Sequence, residues 1–292
     1  MPSLDDLKKR IKSVKSTQKI TKAMKMVAAA KLRKAQENAE KGRPYSKKMQ
    51  NIILNLTQSI SDPKNAPKLL VGTGEDKKYL CVVLTADRGL CGGFNSNICK
   101  LAKTNFKKIL NEGKDLKIIT VGSKGLDQIK REYGKYVIKK LSFKDKKQIS
   151  FHEAEIVGNE IISLFNKNEF DKRILFYNNF KNVITQIPQA QQIIPAENKK
   201  SESADEKILS YEFEPEEDEI LEDLLPKNIS TQVFKALLEN AASEQGSRMT
   251  AMDNATRNAG DLVDKLTINY NRSRQASITK ELIEIISGAE SL

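Results

Sequence analysis

The sequence of 292 residues has no tryptophan, one histidine, three cysteines and few aromatic residues. A single histidine, His152, excludes a metal site built from several histidines, and we expect it to be an ordinary residue on a helix surface. The cysteines Cys81, Cys91 and Cys99 have neither C-x-x-C spacing nor a histidine beside them. They predict reduced thiols rather than a zinc site or a disulfide framework.

Long apolar runs are also missing. No stretch approaches the roughly 20 consecutive apolar residues of a membrane-spanning helix, so we expect no span of a bilayer. The N-terminal segment lacks the apolar region of a secretory signal and carries Asp5 and Asp6. These features predict a chain that stays on the cytosolic side of the membrane.

Charge is abundant and unevenly placed. The net charge is +12, and residues 1–50 hold fifteen basic against four acidic residues, whereas residues 197–223 hold twelve acidic and three basic ones. Such a basic arm suits nucleic acid, a membrane surface or an acidic protein partner. Nucleic acid is disfavoured because the lysines follow a helical pattern without interleaved aromatic residues.

Both ends of the chain have helical periodicity. From Ser3 to Lys41 neither glycine nor proline occurs, and apolar or small residues recur at steps of three and four, continuing beyond Pro44 to Ile60. After Pro226 a second such stripe runs towards the end of the chain. Two helices with narrow apolar stripes bury them by winding together, which predicts an antiparallel coiled coil.

The middle of the chain alternates strand and helix patterns. Short β-branched runs, beginning with residues 78–85, are separated by helical stretches, which predicts an α/β domain with a mostly parallel sheet. The expected division is 1–62 for the N-terminal helix, 75–195 for the α/β domain, 196–223 for an acidic linker and 224–292 for the C-terminal helix.

The sequence contains no convincing catalytic constellation. The loop Gly89-Leu-Cys-Gly-Gly93 follows the first strand, where such domains hold phosphate, but its spacing matches neither the dinucleotide fingerprint nor the Walker pattern. We therefore expect a tight structural turn there, no metal, no cofactor bound by this chain, and no enzymatic activity of its own.

Three blocks give the sequence a family resemblance. Residues 17–24 (TQKITKAM) with residues 26–34 (MVAAAKLRK), residues 87–93 (DRGLCGG) and residues 271–289 (NRSRQASITKELIEIISGA) stand in the order found in one family. By these blocks the chain resembles the gamma subunit of the bacterial F-type, proton-translocating ATP synthase. The resemblance implies a Rossmann-like central domain between the two terminal helices, which together form a shaft.

The resemblance also implies a function and partners. It points to a non-catalytic rotor shaft that couples proton flow to conformational cycling of the catalytic beta subunits, for ATP synthesis or hydrolysis. The implied partners are a ring of three alpha and three beta subunits, the epsilon subunit and the membrane ring of c subunits, with Mg-ATP and ADP bound by partner subunits. It places the chain peripherally, through these partners, on the cytoplasmic side of the bacterial inner membrane.

Eight residues are implied partner contacts by the same resemblance. They lie in or directly beside the matched blocks, or in the polar stretch that precedes Met249, and they are Met24, Lys25, Glu244, Arg248, Arg274, Gln275, Thr279 and Glu281. From the residues alone, an alternative function stays open: a coiled-coil scaffold or nucleic-acid-binding protein that uses its basic N-terminal arm. A small α/β enzyme using the Gly89–Gly93 loop is a third possibility.

Overall fold

Two long helices flank an alternation of strands and shorter helices along the chain. The structure is a computed structural model that describes residues 3–59, 67–146, 148–195 and 217–290. Its elements in chain order are α1 (Leu4–Ser59), α2 (Lys68–Val71), β1 (Lys78–Leu84), α3 (Phe94–Asn111), β2 (Asp115–Val121), α4 (Ser123–Tyr133), a 3-10 turn (Gly134–Tyr136), β3 (Val137–Leu141), α5 (Phe151–Asn166), β4 (Lys172–Phe180), β5 (Gln186–Ile194) and α6 (Glu217–Glu290).

Helix α1 begins as its sequence predicts. The Ser3 hydroxyl accepts a hydrogen bond from the Asp6 backbone N–H at 3.1 Å, which satisfies one of the free N–H groups of the first turn. Asp5 and Asp6 stand in that turn, where negative charge interacts favourably with the helix dipole. The helix includes Pro44, so the helical pattern on both sides of that proline belongs to one element.

Helix α6 begins earlier than predicted. Residues 217–223 were assigned to the acidic linker, whereas the structure has them in α6, with Pro226 inside the helix. The reason is tertiary packing, because Leu221 and Leu225 are buried in a cluster with α1 and α2 side chains. Residues 196–216, the remainder of the predicted linker, lie outside the described residues.

The central strands form one sheet in the order β3-β2-β1-β4-β5. Strands β3, β2, β1 and β4 are parallel neighbours, and β5 pairs antiparallel with β4. This confirms the predicted mostly parallel sheet. The chain builds outward from β1 to β3 and then returns to β4 beside β1, so the strand order reverses between β1 and β4.

The two faces of the sheet have separate cores. Alternate residues of β1 point to opposite faces: Cys81 and Val83 pack with α3 and α4, while Leu80 and Val82 pack with α5 and α6. A strand buried on both faces reads as a continuous apolar run, which is why β1 was recognisable in the sequence.

The fifth strand differs from its prediction. The apolar and β-branched pattern of residues 183–187 predicts a strand there, whereas β5 covers Gln186–Ile194. The Asn182 side chain accepts hydrogen bonds from the backbone N–H groups of Ile184 and Thr185 at 2.9 and 2.7 Å. That local bonding makes a turn of the apolar residues that were taken for a strand.

The chain divides into two compact units, which cut across both long helices. One comprises Met1–Ala29 with Arg248–Leu292, and the other comprises Ala30–Ser247. Here they are named the terminal unit and the central unit. The division into domains expected from the sequence differs from these two units and, apart from the earlier start of α6, stays a prediction.

Helices α1 and α6 run antiparallel in each unit. In the terminal unit the contacts pair Lys25 with Asp253 and Thr21 with Thr256. Residue numbers therefore decrease along α1 as they increase along α6, which means that the two helices are antiparallel. In the central unit Arg43 pairs with Glu239, and Met49 and Ile53 share a cluster with Leu221 and Leu225. The predicted antiparallel pairing of the end helices is confirmed.

Candidate functional site

An acidic residue on α6 neutralises part of the basic arm in the terminal unit. Lys25 Nζ lies 2.6 Å from Asp253 Oδ1, and Arg257 Nη2 lies 2.6 Å from Asp253 Oδ2. The bond from Lys25, helped by Arg257, lowers the pKa of the Asp253 carboxyl. The Lys25 ammonium is therefore paired with an acid of the same chain, while most other lysines of the arm are exposed.

Small side chains make the seam between the same two helices. Thr256 Oγ1 donates a hydrogen bond to Thr21 Oγ1 at 2.8 Å, and Thr21 is buried. A Cβ added at Gly260 would lie 3.0 Å from Gln18 Nε2, so a larger residue there would displace the Gln18 side chain. The seam is close and partly polar, as the small residues in the sequence indicated.

The eight predicted contact residues have different environments. Met24 and Lys25 are partly buried on α1, and Glu244 and Arg248 are partly buried on α6, one turn apart in the sequence. The remaining four, near the end of α6, are all exposed: Arg274, Gln275, Thr279 and Glu281. Thr279 donates its hydroxyl to the Gln275 carbonyl at 2.9 Å. Glu244 belongs to the central unit and the other seven to the terminal unit.

Exposed apolar residues accompany this set. On α1, Ile20, Met26 and Val27 are each more than half exposed, and a second group lies near the end of α6. That group consists of Ile278, Leu282, Ile283, Ile285 and Ile286. Large apolar side chains clustered at a surface mark sites of interaction. Among the described helices, none has a stretch long and apolar enough to cross a bilayer.

A carboxylate occupies the edge of the sheet where such domains hold phosphate. Asp87, just after β1, accepts hydrogen bonds from the Ser123 backbone and hydroxyl at 2.8 Å and from the Ser142 hydroxyl at 2.7 Å. Burial acts to raise the pKa of the Asp87 carboxyl, but the bonds from Ser142 and Ser123 outweigh it and hold that pKa below its ordinary value. A fixed negative charge here disfavours a phosphate ligand.

The glycine loop after Asp87 is a tight turn, as expected. Gly92 and Leu90 both have positive φ, at 55° and 61°, and Cys91 is buried between them. Nearby, a Cβ on Gly122 would lie 2.2 Å from the Thr85 carbonyl oxygen, so only glycine fits there. These glycines serve close packing of the backbone.

Polar side chains of α6 pack against β4 where it extends beyond its ladder with β1. The β1 ladder with β4 ends at Phe176, and β4 continues to Phe180. Beyond that point, Asn240 Oδ1 accepts from the Asn178 N–H at 3.1 Å, and Ser243 donates to the Asn178 carbonyl at 3.2 Å. Glu239 accepts from the Phe180 N–H at 3.1 Å. Side chains of the protein thus occupy the crevice where open α/β sheets bind ligands.

Sequence reasoning did not single out two acids that form ion pairs between α1 and α6. Asp253 pairs with Lys25, and Glu239 pairs with Arg43 across the central unit, with Glu239 Oε1 2.9 Å from the guanidinium. Their signal in the sequence is weak, because an acid on a helix usually lies on a solvated face. His152 is exposed on α5, as predicted, and the three cysteines are buried.

These features define a class of protein in which long antiparallel helices accompany an α/β domain whose crevice is filled by its own helix. A family model described as ATP synthase matches residues 3–292. The chain is 73% identical over 292 residues to the ATP synthase gamma chain of Pelagibacter ubique (strain HTCC1062), and 56% identical over 293 residues to that of Sinorhizobium fredii (strain NBRC 101917 / NGR234). Both matches cover all of each chain.

Solved structures agree with the sequence comparisons. A central stalk and c-ring structure of the Tetrahymena thermophila mitochondrial ATP synthase matches with a TM-score of 0.60 and 27% identity, over 81% of this chain and 99% of that one. A Euglena gracilis mitochondrial ATP synthase structure matches in fold, with a TM-score of 0.64, 21% identity and coverage of 99% and 94%.

The chain belongs to the family of ATP synthase gamma chains. Its predicted fold and its predicted function, a central-stalk rotor subunit of that enzyme complex, are confirmed. The alternative of a nucleic-acid-binding or scaffold protein receives no support from these relatives.

Proposed function

We propose that this chain carries torque between a membrane ring of c subunits and a ring of three alpha and three beta subunits. In this proposal the epsilon subunit joins the rotor, and Mg-ATP and ADP bind to the partner subunits. The chain works peripherally at the cytoplasmic face of a bacterial inner membrane. Its own part is mechanical, since turning it presents a different face to each beta subunit in sequence.

The observation that carries the proposal is the outer surface of the terminal unit. There α1 and α6 bury a narrow seam against each other and leave lysines and large apolar residues such as Met26 and Ile285 exposed. Exposed charges in water attract a partner weakly and over several ångströms. A surface of this kind suits a shaft, because no single orientation in the surrounding ring is held tightly.

The eight residues of the resemblance then have proposed roles. Met24 and Lys25 face acidic loops of the beta subunits, with Asp253 holding the Lys25 ammonium in place. Glu244 and Arg248 serve the same zone. Near the end of α6, Arg274, Gln275, Thr279 and Glu281 offer exposed polar groups to the surrounding ring.

Substitution of Met24 by lysine tests the proposal. The added charge gives acidic loops a new ion pair, worth up to about 1 kcal/mol at a surface, and slows escape from one orientation about fivefold. In complexes reconstituted into vesicles, we expect fewer protons pumped per ATP hydrolysed, because a shaft that lingers in one orientation follows the nucleotide cycle of the beta subunits less closely. The thermal stability of the chain should stay close to that of the parent.

Two controls separate charge from position. Met24→Leu keeps an apolar side chain and should pump normally, and Asn111→Lys adds the same charge at the end of α3, outside the terminal helices. Normal pumping per ATP in the Met24→Lys complex would count against the proposal.

A further inference from the structure

The end of strand β4 pairs with β5 on one side and is bonded to α6 on the side that faces β1. The β1–β4 ladder ends at Val83 and Phe176, and within the described residues no strand pairs with β4 beyond Phe176 on that side. The side chains of Glu239, Asn240 and Ser243 supply the missing partners, at 3.1, 3.1 and 3.2 Å. These three α6 residues are named the strand-end clamp.

The clamp also includes α1 through a buried carboxylate. Arg43 Nε and Nη2 lie 2.9 Å from Glu239 Oε1, while Glu239 Oε2 accepts from the Phe180 N–H. The Glu239 side chain is 4% exposed, and its charge raises the pKa of Arg43. One carboxylate therefore connects α1, α6 and the sheet.

A second α6 hydroxyl extends the connection to the glycine loop. Ser247 donates to the Cys91 carbonyl at 2.7 Å, one turn beyond Ser243. The bonded positions of α6 thus lie along one face of the helix, over the carboxyl edge of the sheet.

Hydrogen bonds differ from apolar packing in what they resist. Burial of apolar surface is non-directional, so it specifies the relative rotation of two elements less strictly than hydrogen bonds do. A hydrogen bond weakens steeply when its angle or distance changes, and a buried carboxylate that loses its partners is strongly destabilised. A set of buried directional bonds therefore resists twisting of α6 against the sheet.

We propose that the strand-end clamp is the torsional coupling between the sheet domain and the paired helices. This inference rests on the proposed function as a rotor. Glu239, Asn240 and Ser243 are positioning residues: they contact no nucleotide, and they keep the helices from turning independently of the domain that receives the driving force.

The test measures coupling under load in the assembled complex. Glu239→Ala removes the acceptor of both Arg43 and Phe180, and loss of a charge-assisted bond weakens a junction on the order of tenfold. We expect ATP hydrolysis without a proton gradient to stay near the parental rate. The number of protons pumped per ATP against a gradient should fall by about half or more, because the weakened junction yields under load. Glu239→Gln, which keeps an acceptor for Phe180, should fall between.

Ser243→Ala keeps the test valid if the Glu239 variants fail to assemble. Its matched control is Ser230→Ala, the same change at a buried serine of the same helix that packs against Gly158 of α5. Only Ser243→Ala should lower pumping under load. A merely structural role would lower the yield of complexes for both variants and leave the coupling of those that assemble unchanged.

The outcomes distinguish the two proposals. Parental complexes that pump, beside Glu239→Ala and Ser243→Ala complexes that pump equally well under load, would overturn the clamp and leave the rotor function standing. Parental complexes that hydrolyse ATP and never pump would overturn the rotor function and the clamp with it.

Discussion

Arg173 on β4 is a fully buried cation in an apolar setting. Its neighbours in register are Leu80 on β1 and Ile194 on β5, both fully buried. None of its three guanidinium nitrogens has a hydrogen-bond partner within the described part of the chain. Burial lowers the pKa of Arg173 to about 9, since it disfavours the charged form.

Replacement of Arg173 by methionine should stabilise the chain. The ordinary pKa of 12.5 applies in the unfolded state, so folding at pH 7 buries a cation at a cost that is relieved only as pH rises from about 9 towards 12.5. We expect Arg173→Met to raise the free energy of unfolding at pH 7 by roughly 1–4 kcal/mol. Urea denaturation at pH 7 and pH 10 should show a smaller gain at the higher pH.

Arg173→Lys is the matched control, because it keeps a cation at the same position. It should be no more stable than the parent at pH 7. A methionine variant that is less stable than the parent would mean that the guanidinium gains more from the folded chain than its burial costs.

At the scale of elements, helices α5 and α6 cross at a glycine. A Cβ added to Gly158 would lie 2.4 Å from Ser230 Oγ and 3.3 Å from Ser230 Cα. Overpacking costs roughly 1–3 kcal/mol, and alanine recovers up to about 1 kcal/mol of helix propensity. We expect Gly158→Ala to lower the free energy of unfolding by roughly 1–2 kcal/mol on this balance.

The companion change at Ser230 checks the cause. Ser230→Ala removes the hydroxyl that a new Cβ would strike, so the double variant should be more stable than Gly158→Ala alone, by thermal or urea unfolding. If the stability costs of the two single changes simply add in the double variant, steric conflict between these helices is not the reason for the loss.

Element boundaries show where sequence patterns suffice. The start of α1 follows from Ser3, Asp5 and Asp6, which act within a single turn. The start of α6 does not, because Leu221 and Leu225 extend the helix by packing against α1 and α2. Local capping is visible in a sequence, whereas burial by a distant element is not.

For the whole molecule, the end of α6 should matter for assembly more than for folding. From Gln275 to Ala289 no side chain is buried, so deletion of Gln275–Leu292 removes little packing. We expect the thermal midpoint of the chain to shift by no more than about 3 °C. A pull-down from solubilised membranes should then no longer recover a magnesium-dependent ATPase complex.

Ile184→Ser is a useful comparison for that deletion. Ile184 is 85% exposed in the turn before β5, and its loss should leave the ATPase complex intact. Full recovery of the complex with the shortened chain would contradict a role of the α6 end in assembly.

The candidate site was predictable only in part. The three blocks led to the family, and the helical patterns led to the antiparallel pair, because both are written in consecutive residues. The partners of Lys25 and Arg43 were not predictable, since Asp253 and Glu239 lie about two hundred positions away along the chain. The expected contact residues themselves stay predictions.

The sequence by itself determined the family, the long amphipathic helices, the mainly parallel sheet and the tight glycine loop. Each depends on local signals: a cap, a period of three to four residues, a β-branched run, a glycine at positive φ. Only the tertiary structure decided that α6 closes the crevice of the sheet and that Glu239 connects three elements. Those outcomes depend on which distant surfaces meet, because a buried polar group takes whatever partner the packing brings within hydrogen-bond distance.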